Sequence, residues 1–263
     1  MNPPLKRIFI TGASSGLGAA LASHYARAGA TLGLLARRGE TLDSLIATLP
    51  NPHLHRAYAV DVRDHAALRQ AAAAFLAYAG GIDIVIANAG ISHGTLTEHR
   101  DDLQVFSDIV ATNVTATVAT FAPFIDTMRG QRTAGRLVGI GSVAGIRGLP
   151  GAGAYSASKA AVMTYCESLR VEMRRHGIRV VTIAPGYVDT PMTRHNPYPM
   201  PFLLAPDVFA RRAARAIAQG VSYRVIPWQM GVVAKLLRML PDALYDFAFA
   251  RAPHKPRKTD QPS

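Results

Sequence analysis

The sequence predicts an α/β protein: a doubly wound parallel sheet of about seven strands with helices on both faces, followed by a C-terminal helical extension. Three observations carry that prediction. Short β-branched runs alternate with alanine-rich stretches up to about residue 227. The central runs, such as Ile82-Asp83-Ile84-Val85-Ile86-Ala87, are almost continuously apolar, as parallel strands covered on both faces are. A glycine-rich turn at residues 12–18 joins the first run to the first helical stretch. Alternation of this kind with short connections makes right-handed βαβ units.

Taken in order, the first strand is expected at Arg7–Thr11 and the first helix at Gly16–Ala28, opened by the glycine turn. Strands at Thr31–Ala36 and His55–Val60 flank a helix at Thr41–Thr48, and Ala66–Ala79 follows as an alanine-rich helix. Ile82–Asn88 is the fourth strand, and Leu103–Thr127 a long helix. Arg136–Ser142, Arg179–Pro185 and Tyr223–Pro227 complete the strands, with helices at Ser156–Arg175 and Asp207–Gln219 between them. Residues 1–227 are therefore expected to be one domain. Five prolines between residues 188 and 206 break the alternation and mark a long excursion of the kind that forms substrate lids. Residues 228–250 read as an amphipathic helical extension and 251–263 as a basic, disordered tail.

Composition bounds the function. With 263 residues, 49% hydrophobic and 17% charged, disorder as the main state is excluded, and the chain can bury a core without disulfides or metals. The single cysteine, Cys166, cannot form an internal bridge and reads as an inert thiol on a helix face. No signal-like apolar stretch precedes Ile8-Phe9-Ile10, so a cytoplasmic protein is expected. Ile109–Ile125 lacks charge, but its four threonines, Asn113 and Pro123 make it too short and too polar for a membrane span. The net charge of +12 favours anionic partners, or else a solvated basic surface. The basic residues are spread through the chain without a nucleic-acid motif, so nucleic acid is not expected as a partner. Among the histidines only His53-x-His55 has a metal-like spacing, in a loop, so no metal is expected.

Chemistry begins at the first turn. Gly12 permits a tight turn, Gly16 lets backbone approach a pyrophosphate, and Gly18 allows close helix–strand packing. The helix that follows offers free N–H groups and a partial positive charge to phosphate. The second strand ends at Ala36-Arg37-Arg38. A carboxylate at that end of a dinucleotide fold holds the ribose hydroxyls of NAD, whereas Ala36 removes it and Arg37 suits a 2′-phosphate. Two arginines capping a loop are the plain alternative. Further on, Tyr155 and Lys159 stand four residues apart, on one face of a helix. A tyrosine holds its proton up to pH about 10, and a nearby ammonium favours the phenolate, which tunes it for acid–base work on a carbonyl or alcohol.

In combination these features resemble the short-chain dehydrogenase/reductase family in its single-domain form, over about residues 5–227. The resemblance rests on the Gly12–Gly18 turn, Asn88-Ala89-Gly90, Asn113, Ser142, Tyr155 with Lys159, and Pro185-Gly186 followed by Thr190, in order. Where the family usually carries an asparagine pair, this sequence has Ala87-Asn88, one side chain fewer. The resemblance implies a Rossmann-type fold, a homodimer or homotetramer, and a carbonyl or alcohol substrate. It implies that Tyr155 exchanges a proton with the substrate oxygen, that Lys159 lowers its pKa and binds the nicotinamide ribose, that Ser142 holds that oxygen, and that Asn113 helps position a relay water. It implies NADP(H), preferred over NAD(H), held by Gly12, Ser14, Ser15, Gly16, Leu17, Gly18, Arg37, Arg38, Asp61, Val62, Asn88, Ala89, Gly90, Tyr155, Lys159, Pro185, Gly186, Val188 and Thr190.

A catalytically silent nucleotide-sensing protein on the same fold is the alternative, but it would have little need of all four catalytic-type residues. His93 and His195 fall in loops on the substrate side, where each can touch substrate or solvent, and Arg147, after the Ser142 strand, can meet an acidic substrate group or serve the surface. Met192, Tyr198, Met200, Phe202, Leu203 and Leu204 of the excursion, with Leu149, suit a hydrophobic or lipid-like ketone, or serve to pack the lid. Past Pro227, Val233, Leu236, Leu237 and Leu240 recur at helical spacing beside Lys235 and Arg238, and a second helix carrying Leu244, Tyr245, Phe247 and Phe249 is expected after Pro241. An apolar face next to a basic end suits peripheral docking on an anionic membrane, or else covers the cleft or a second subunit.

Overall fold

A computed structural model describes residues 6–131, 133–194, 196, 198–250, 253 and 255–258. Strands β1 (Arg7–Thr11), β2 (Thr31–Ala36), β3 (His55–Ala59), β4 (Ile84–Ala87), β5 (Arg136–Ile140), β6 (Arg179–Pro185) and β7 (Tyr223–Ile226) form one parallel sheet in the order β3-β2-β1-β4-β5-β6-β7. All seven expected strands are present. Period-two alternation splits each strand between two cores. Ile8, Ile10, Leu32, Leu34, Ile84 and Ile86 face α1 (Gly16–Arg27) and α8 (Pro206–Gln219) on one side, packing on Leu21, Phe209 and Ile217. On the other side Phe9, Val85, Leu137 and Val180 meet Phe75 of α3 (His65–Ala79), Phe121, Phe124 and Leu169. Gly33 is glycine because a Cβ there would stand 2.6 Å from the Phe9 ring and 2.7 Å from that of Phe75.

Helix ends follow local chemistry. Asp64 caps α3 by accepting from the N–H groups of Ala66 and Ala67 at 3.1 and 2.9 Å. Gly80 and Gly220 close α3 and α8 in the left-handed conformation, with φ of 68° and 64°. A short α2 (Gly39–Thr48) lies between β2 and β3.

The long helix expected over Leu103–Thr127 is one rod with two changes of pitch. It runs as α4 (Asp102–Val110), a π-turn (Ala111–Thr115), α5 (Ala116–Phe121), a 3-10 turn (Ala122–Phe124) and α6 (Ile125–Gly130). Pro123, lacking an N–H, accounts for the second change. By length and composition alone, Asp102–Gly130 is long and apolar enough to cross a membrane. Here its inner face, with Ala116, Phe121 and Phe124, packs on the sheet. Thr117 and Thr120 are buried there because their hydroxyls donate to the carbonyls of Asn113 and Ala116, each at 2.7 Å.

After β7 the chain forms α9 (Trp228–Met239) and α10 (Asp242–Phe249). Their junction is held by Arg147, for which the sequence offered an acidic substrate group or a surface role. Its guanidinium donates to the carbonyls of Leu237 and Leu240 at 2.7 and 2.8 Å, pairs with Asp242 at 2.9 Å and lies 3.9 Å above the centre of the Tyr245 ring. Arg147 therefore serves the helix junction: it satisfies carbonyls orphaned at the end of α9. A second correction concerns the tail expected to be disordered. Residues 255–258 pack against the body, with Gly94 donating to the Pro256 carbonyl at 3.0 Å and Arg257 bound to Asp102. Arg251 and His254, like His195 of the lid, lie outside the described residues.

Candidate active site

Reversal of strand order between β1 and β4 sends the following helices to opposite faces and opens a crevice at the carboxyl ends of the strands. A cleft of about 530 Å³ occupies it. The sequence-selected Gly12, Ser14, Ser15, Gly16, Leu17, Arg37, Arg38, Asp61, Val62, Asn88, Ala89, Gly90, Ser142, Tyr155, Lys159, Pro185, Gly186, Val188 and Thr190 all line it. Gly18 and Asn113 stand just behind the wall.

The glycine turn fits a phosphate-bearing cofactor on steric grounds. A Cβ on Gly18 would lie 2.2 Å from the Gly12 carbonyl oxygen, and one on Gly12 2.7 Å from Ala89 Cα. Only bare backbone allows so close an approach. Ser15 precedes α1 in extended conformation and leaves the helix N-terminus uncapped by any side chain, so its N–H groups face the cleft. At the far end, Arg37 and Arg38 are exposed on the cleft wall, and Arg38 reaches Ser14 Oγ at 3.4 Å. Asp61 is paired with Arg63 at 2.7 Å, which holds its carboxyl below the usual carboxylate range.

The four catalytic-type residues converge from three elements. Ser142 follows β5 and opens a 3-10 turn (Val143–Gly145), its hydroxyl oxygen accepting from the Ala144 N–H at 3.1 Å. Tyr155 and Lys159 project from α7 (Gly153–Arg174), with the Lys159 ammonium 5.7 Å from the centre of the Tyr155 ring. Tyr155 is half-buried on the cleft wall, and its hydroxyl lies beside Ser142. Lys159 is buried and donates to the Ile140 carbonyl at 2.8 Å. Asn113, in the π-turn, uses its whole amide on protein partners. Its Nδ2 donates to the Ile91 carbonyl and to Ser158 Oγ at 3.1 and 2.9 Å, and its Oδ1 accepts from the Ile91 N–H at 2.9 Å. The side chain thus ties the loop after β4 to α7.

Electrostatics here depart from the expectation that Lys159 lowers the Tyr155 pKa. Burial raises the Tyr155 hydroxyl, the Ser142 hydrogen bond opposing it, and burial lowers the Lys159 ammonium to about 8. Both groups lie in a desolvated pocket, where the charged form of each is penalised. Tyr155 consequently holds its proton firmly.

Sequence reasoning missed several residues. Tyr187, not singled out from the sequence, has its ring centre 6.4 Å from that of the lid residue Tyr198, which in turn lies near Tyr155. Lys258 and Asp108 also line the cleft. Of the apolar lid residues, Met192 lines the cleft, whereas Phe202 and Leu203 turn outwards and Leu204 packs on the core. The lid is closed at its base by a parallel bridge between Val188 and Leu204. Cys166 is buried against Gly139, its thiol pushed up to about 11 by burial. Among the described residues, no group of three or more His, Cys, Asp or Glu is placed to hold a metal ion.

Comparison with known proteins agrees with this geometry. The model of the short chain dehydrogenase family matches residues 6–199. An uncharacterised oxidoreductase of Myxococcus xanthus is 39% identical over 243 residues, covering 92% of this chain and 95% of that protein. A short-chain dehydrogenase from Streptomyces avermitilis superposes with a TM-score of 0.77 at 27% identity, covering 88% of this chain and 92% of that one. A 3-ketoacyl-(acyl-carrier-protein) reductase from Brucella melitensis, solved with NADH, gives a TM-score of 0.75 at 25% identity and covers 84% and 96% of the two chains.

The buried ammonium gives a direct test. In the free protein the Lys159 side chain should titrate near pH 8, as followed by NMR of labelled lysine with Lys159→Met as the assignment variant. Because its folded pKa is lowered, the unfolded chain binds more protons between about pH 8 and its ordinary value near 10.5. Lys159's contribution to stability therefore rises with pH across that window, so any stability advantage of Lys159→Met over the parent shrinks as pH rises through it. Titration at the ordinary lysine value refutes the burial argument.

Proposed function

The chain belongs to the short-chain dehydrogenase family, and on that premise we propose that it is an NADP(H)-dependent oxidoreductase acting on a hydrophobic carbonyl or secondary alcohol. One observation carries the chemistry: the Tyr155 hydroxyl meets Ser142 inside the same cleft as the glycine turn, with Lys159 one helical turn on. Bound nicotinamide supplies or accepts the hydride. Everything else falls to the chain. Ser142 holds the substrate oxygen, its own oxygen already fixed by the Ala144 N–H. Tyr155, protonated at neutral pH, gives its proton to that oxygen in reduction, and in the reverse direction the phenolate must form first. Lys159 supplies positive charge beneath it and a donor for the ribose. Asn113 acts as a positioning residue, holding the loop at Ile91 against α7. A silent nucleotide-sensing protein is disfavoured because it has no use for a proton donor buried at this cost.

The reading of NADP(H) over NAD(H) is supported by Ala36, which ends β2 without a carboxylate, and by Arg37 and Arg38 on the wall beside it. Asp61, the nearest acid on the next strand end, is already neutralised by Arg63. A hydrophobic substrate is supported by Ile91, Val188, Pro191 and Met192 along the cleft and by the Tyr187–Tyr198 pair.

The extension supports a place for this reaction. On α9, Trp228, Val232, Leu236 and Met239 form one stripe and are 67%, 47%, 60% and 79% exposed, with Phe247 of α10 at 88%. The α9 face that packs inwards is instead Met230, Gly231 and Ala234. Exposed Lys235 and Arg238 border the stripe. A tryptophan-bearing apolar stripe with basic flanks fits an anionic membrane face, from which a lipid-like ketone would be drawn.

Losing a charge-assisted phosphate contact costs about 1.5–3 kcal/mol, so Arg37→Ala with Ala36→Asp should cut kcat/KM for NADPH by roughly tenfold or more and reverse the cofactor preference. Equal efficiency with both cofactors in the unmodified enzyme refutes the reading. Tyr155→Phe should abolish turnover in a carbonyl panel while leaving NADPH affinity near that of the parent, and Lys159→Ala should harm both; an active Tyr155→Phe enzyme overturns the proton assignment. The intact protein should sediment with anionic vesicles and Leu236→Ser should release it. If it ignores vesicles and instead self-associates through this stripe in analytical ultracentrifugation, a second copy is the occupant and the membrane reading is wrong.

A further inference from the structure

The end of the chain lies over the cleft in a way the family chemistry does not require. Gly94, in the loop after β4, pairs with Arg257 in a parallel bridge, its N–H donating to the Pro256 carbonyl at 3.0 Å. A Cβ at Gly94 would stand 2.0 Å from the Lys255 carbonyl oxygen, so backbone meets backbone there without space for a side chain. Arg257 then clamps the buried Asp102 in a two-point pair, Nε to Oδ2 at 2.9 Å and Nη2 to Oδ1 at 3.1 Å. Asp102 Oδ2 also accepts from the Leu96 N–H at 2.8 Å. A carboxylate with this burial and these donors holds its partner far more firmly than a surface pair does.

Two lysines flank the clamp and point to its use. The Lys255 ammonium donates to Ser92 Oγ at 3.1 Å and to the Met192 carbonyl at 3.3 Å, so it ties the β4 loop to the lid. Lys258 lines the same cleft as Gly12, Ser14–Leu17 and the cluster of Arg37, Arg38 and Arg63. His93 lines the cleft near both lysines, and among the described residues its buried Nδ1 has no partner. Positive charge and an unsatisfied polar atom therefore meet at a wall that the chain's own end completes.

We propose that residues Lys255–Lys258 are a strap over the cofactor cleft, which retains a bound anionic dinucleotide and contributes Lys258 as a contact for its negative charge. The proposal rests on the dinucleotide reading above and adds a binding element to it. Charge at Lys258 attracts the phosphates, Arg257 on Asp102 fixes the strap, and Lys255 links its position to that of the lid.

The test is NADPH release, followed by stopped-flow fluorescence, together with equilibrium affinity across a salt series. Gly94→Ala should push the strap off without altering any charge and raise the dissociation rate about tenfold, the order expected when one wall of a site is lost. Lys258→Ala, at an exposed position that folding does not need, should weaken affinity roughly threefold to tenfold and flatten its salt dependence, while Lys258→Arg stays near the parent. A merely structural role for the strap would not change the salt slope. If the parent binds NADPH and Lys258→Ala binds it with the same affinity and salt slope, the strap proposal is overturned while the dinucleotide reading stands, whatever Gly94→Ala does. If the parent binds neither NADPH nor NADH, the dinucleotide reading fails and the strap proposal with it.

Discussion

The seam between β1 and β4 is the constraint on which the site depends. At its upper end the Asn88 amide donates to the carbonyls of Thr11 and Gly12 at 3.0 and 3.1 Å, while Thr11 Oγ1 accepts from the N–H groups of Asn88 and Ala89, each at 3.2 Å. These bonds continue the strand ladder past its last regular pair and satisfy backbone that would otherwise be stranded where the two chains part. At the lower end Arg7 grips Asp83 through Nε and Nη2 at 3.0 and 2.9 Å, and its backbone N–H reaches the same carboxylate at 2.8 Å. Burial of part of that pair, and the backbone donor, make it more than a surface ion pair. With both ends fixed, the glycine turn and the Asn88–Gly90 loop keep a constant separation. The other functional groups are measured from that frame.

Around this frame the protein tolerates an unfavourable arrangement. Lys159 is buried with a single backbone carbonyl as its described hydrogen-bond partner, and Tyr155 has its hydroxyl enclosed beside it. Among the described residues no carboxylate compensates the Lys159 charge. Such a pair persists because α7 is anchored elsewhere along the same face, by Val162, Cys166, Leu169 and Met173 in the core. The π-turn at Asn113 belongs to the same economy of strain: one wide turn re-aims an amide so that it bonds Ile91 on one side and Ser158 on the other. A site so desolvated favours a protonated phenol at rest, which is the state a proton donor needs.

Much of this was legible in the sequence because it depends on local patterns. Strand alternation reports burial on two faces, glycine spacing reports a turn that no Cβ can enter, and a four-residue interval on a helix reports a shared face. What stayed hidden depends on pairs distant along the chain. Asp102 and Arg257 are separated by 155 positions, and Arg147 and the Leu240 carbonyl by 93. The sequence gives no periodicity from which such pairs can be read. The π-turn was hidden for another reason: it differs from an α-helix by one hydrogen-bond register, to which residue spacing is blind. The Tyr155 pKa was misjudged because proximity of a cation was weighed without the burial that both groups share. Among the apolar lid residues, composition could not tell Met192, which faces the cleft, from Phe202 and Leu203, which face away.

The basic surplus shows the same difference between composition and placement. A net charge of +12 spread along 263 residues identifies no partner. Folding gathers Arg37, Arg38, Arg63, Lys159 and Lys258 onto one cleft where, among the described residues, the acids are Asp61 and Asp108. Arg63 lies against both of those, at 2.7 Å from Asp61 and 3.5 Å from Asp108, so their charge is met before any ligand arrives. Low-dielectric walls concentrate the field that remains. An anion entering this crevice therefore meets positive charge on the glycine-turn side, the second-strand side and the chain-end side at once. Three separate regions of the sequence supply those walls, and a ligand carrying phosphate at more than one point along its length is the kind of molecule that can use all three.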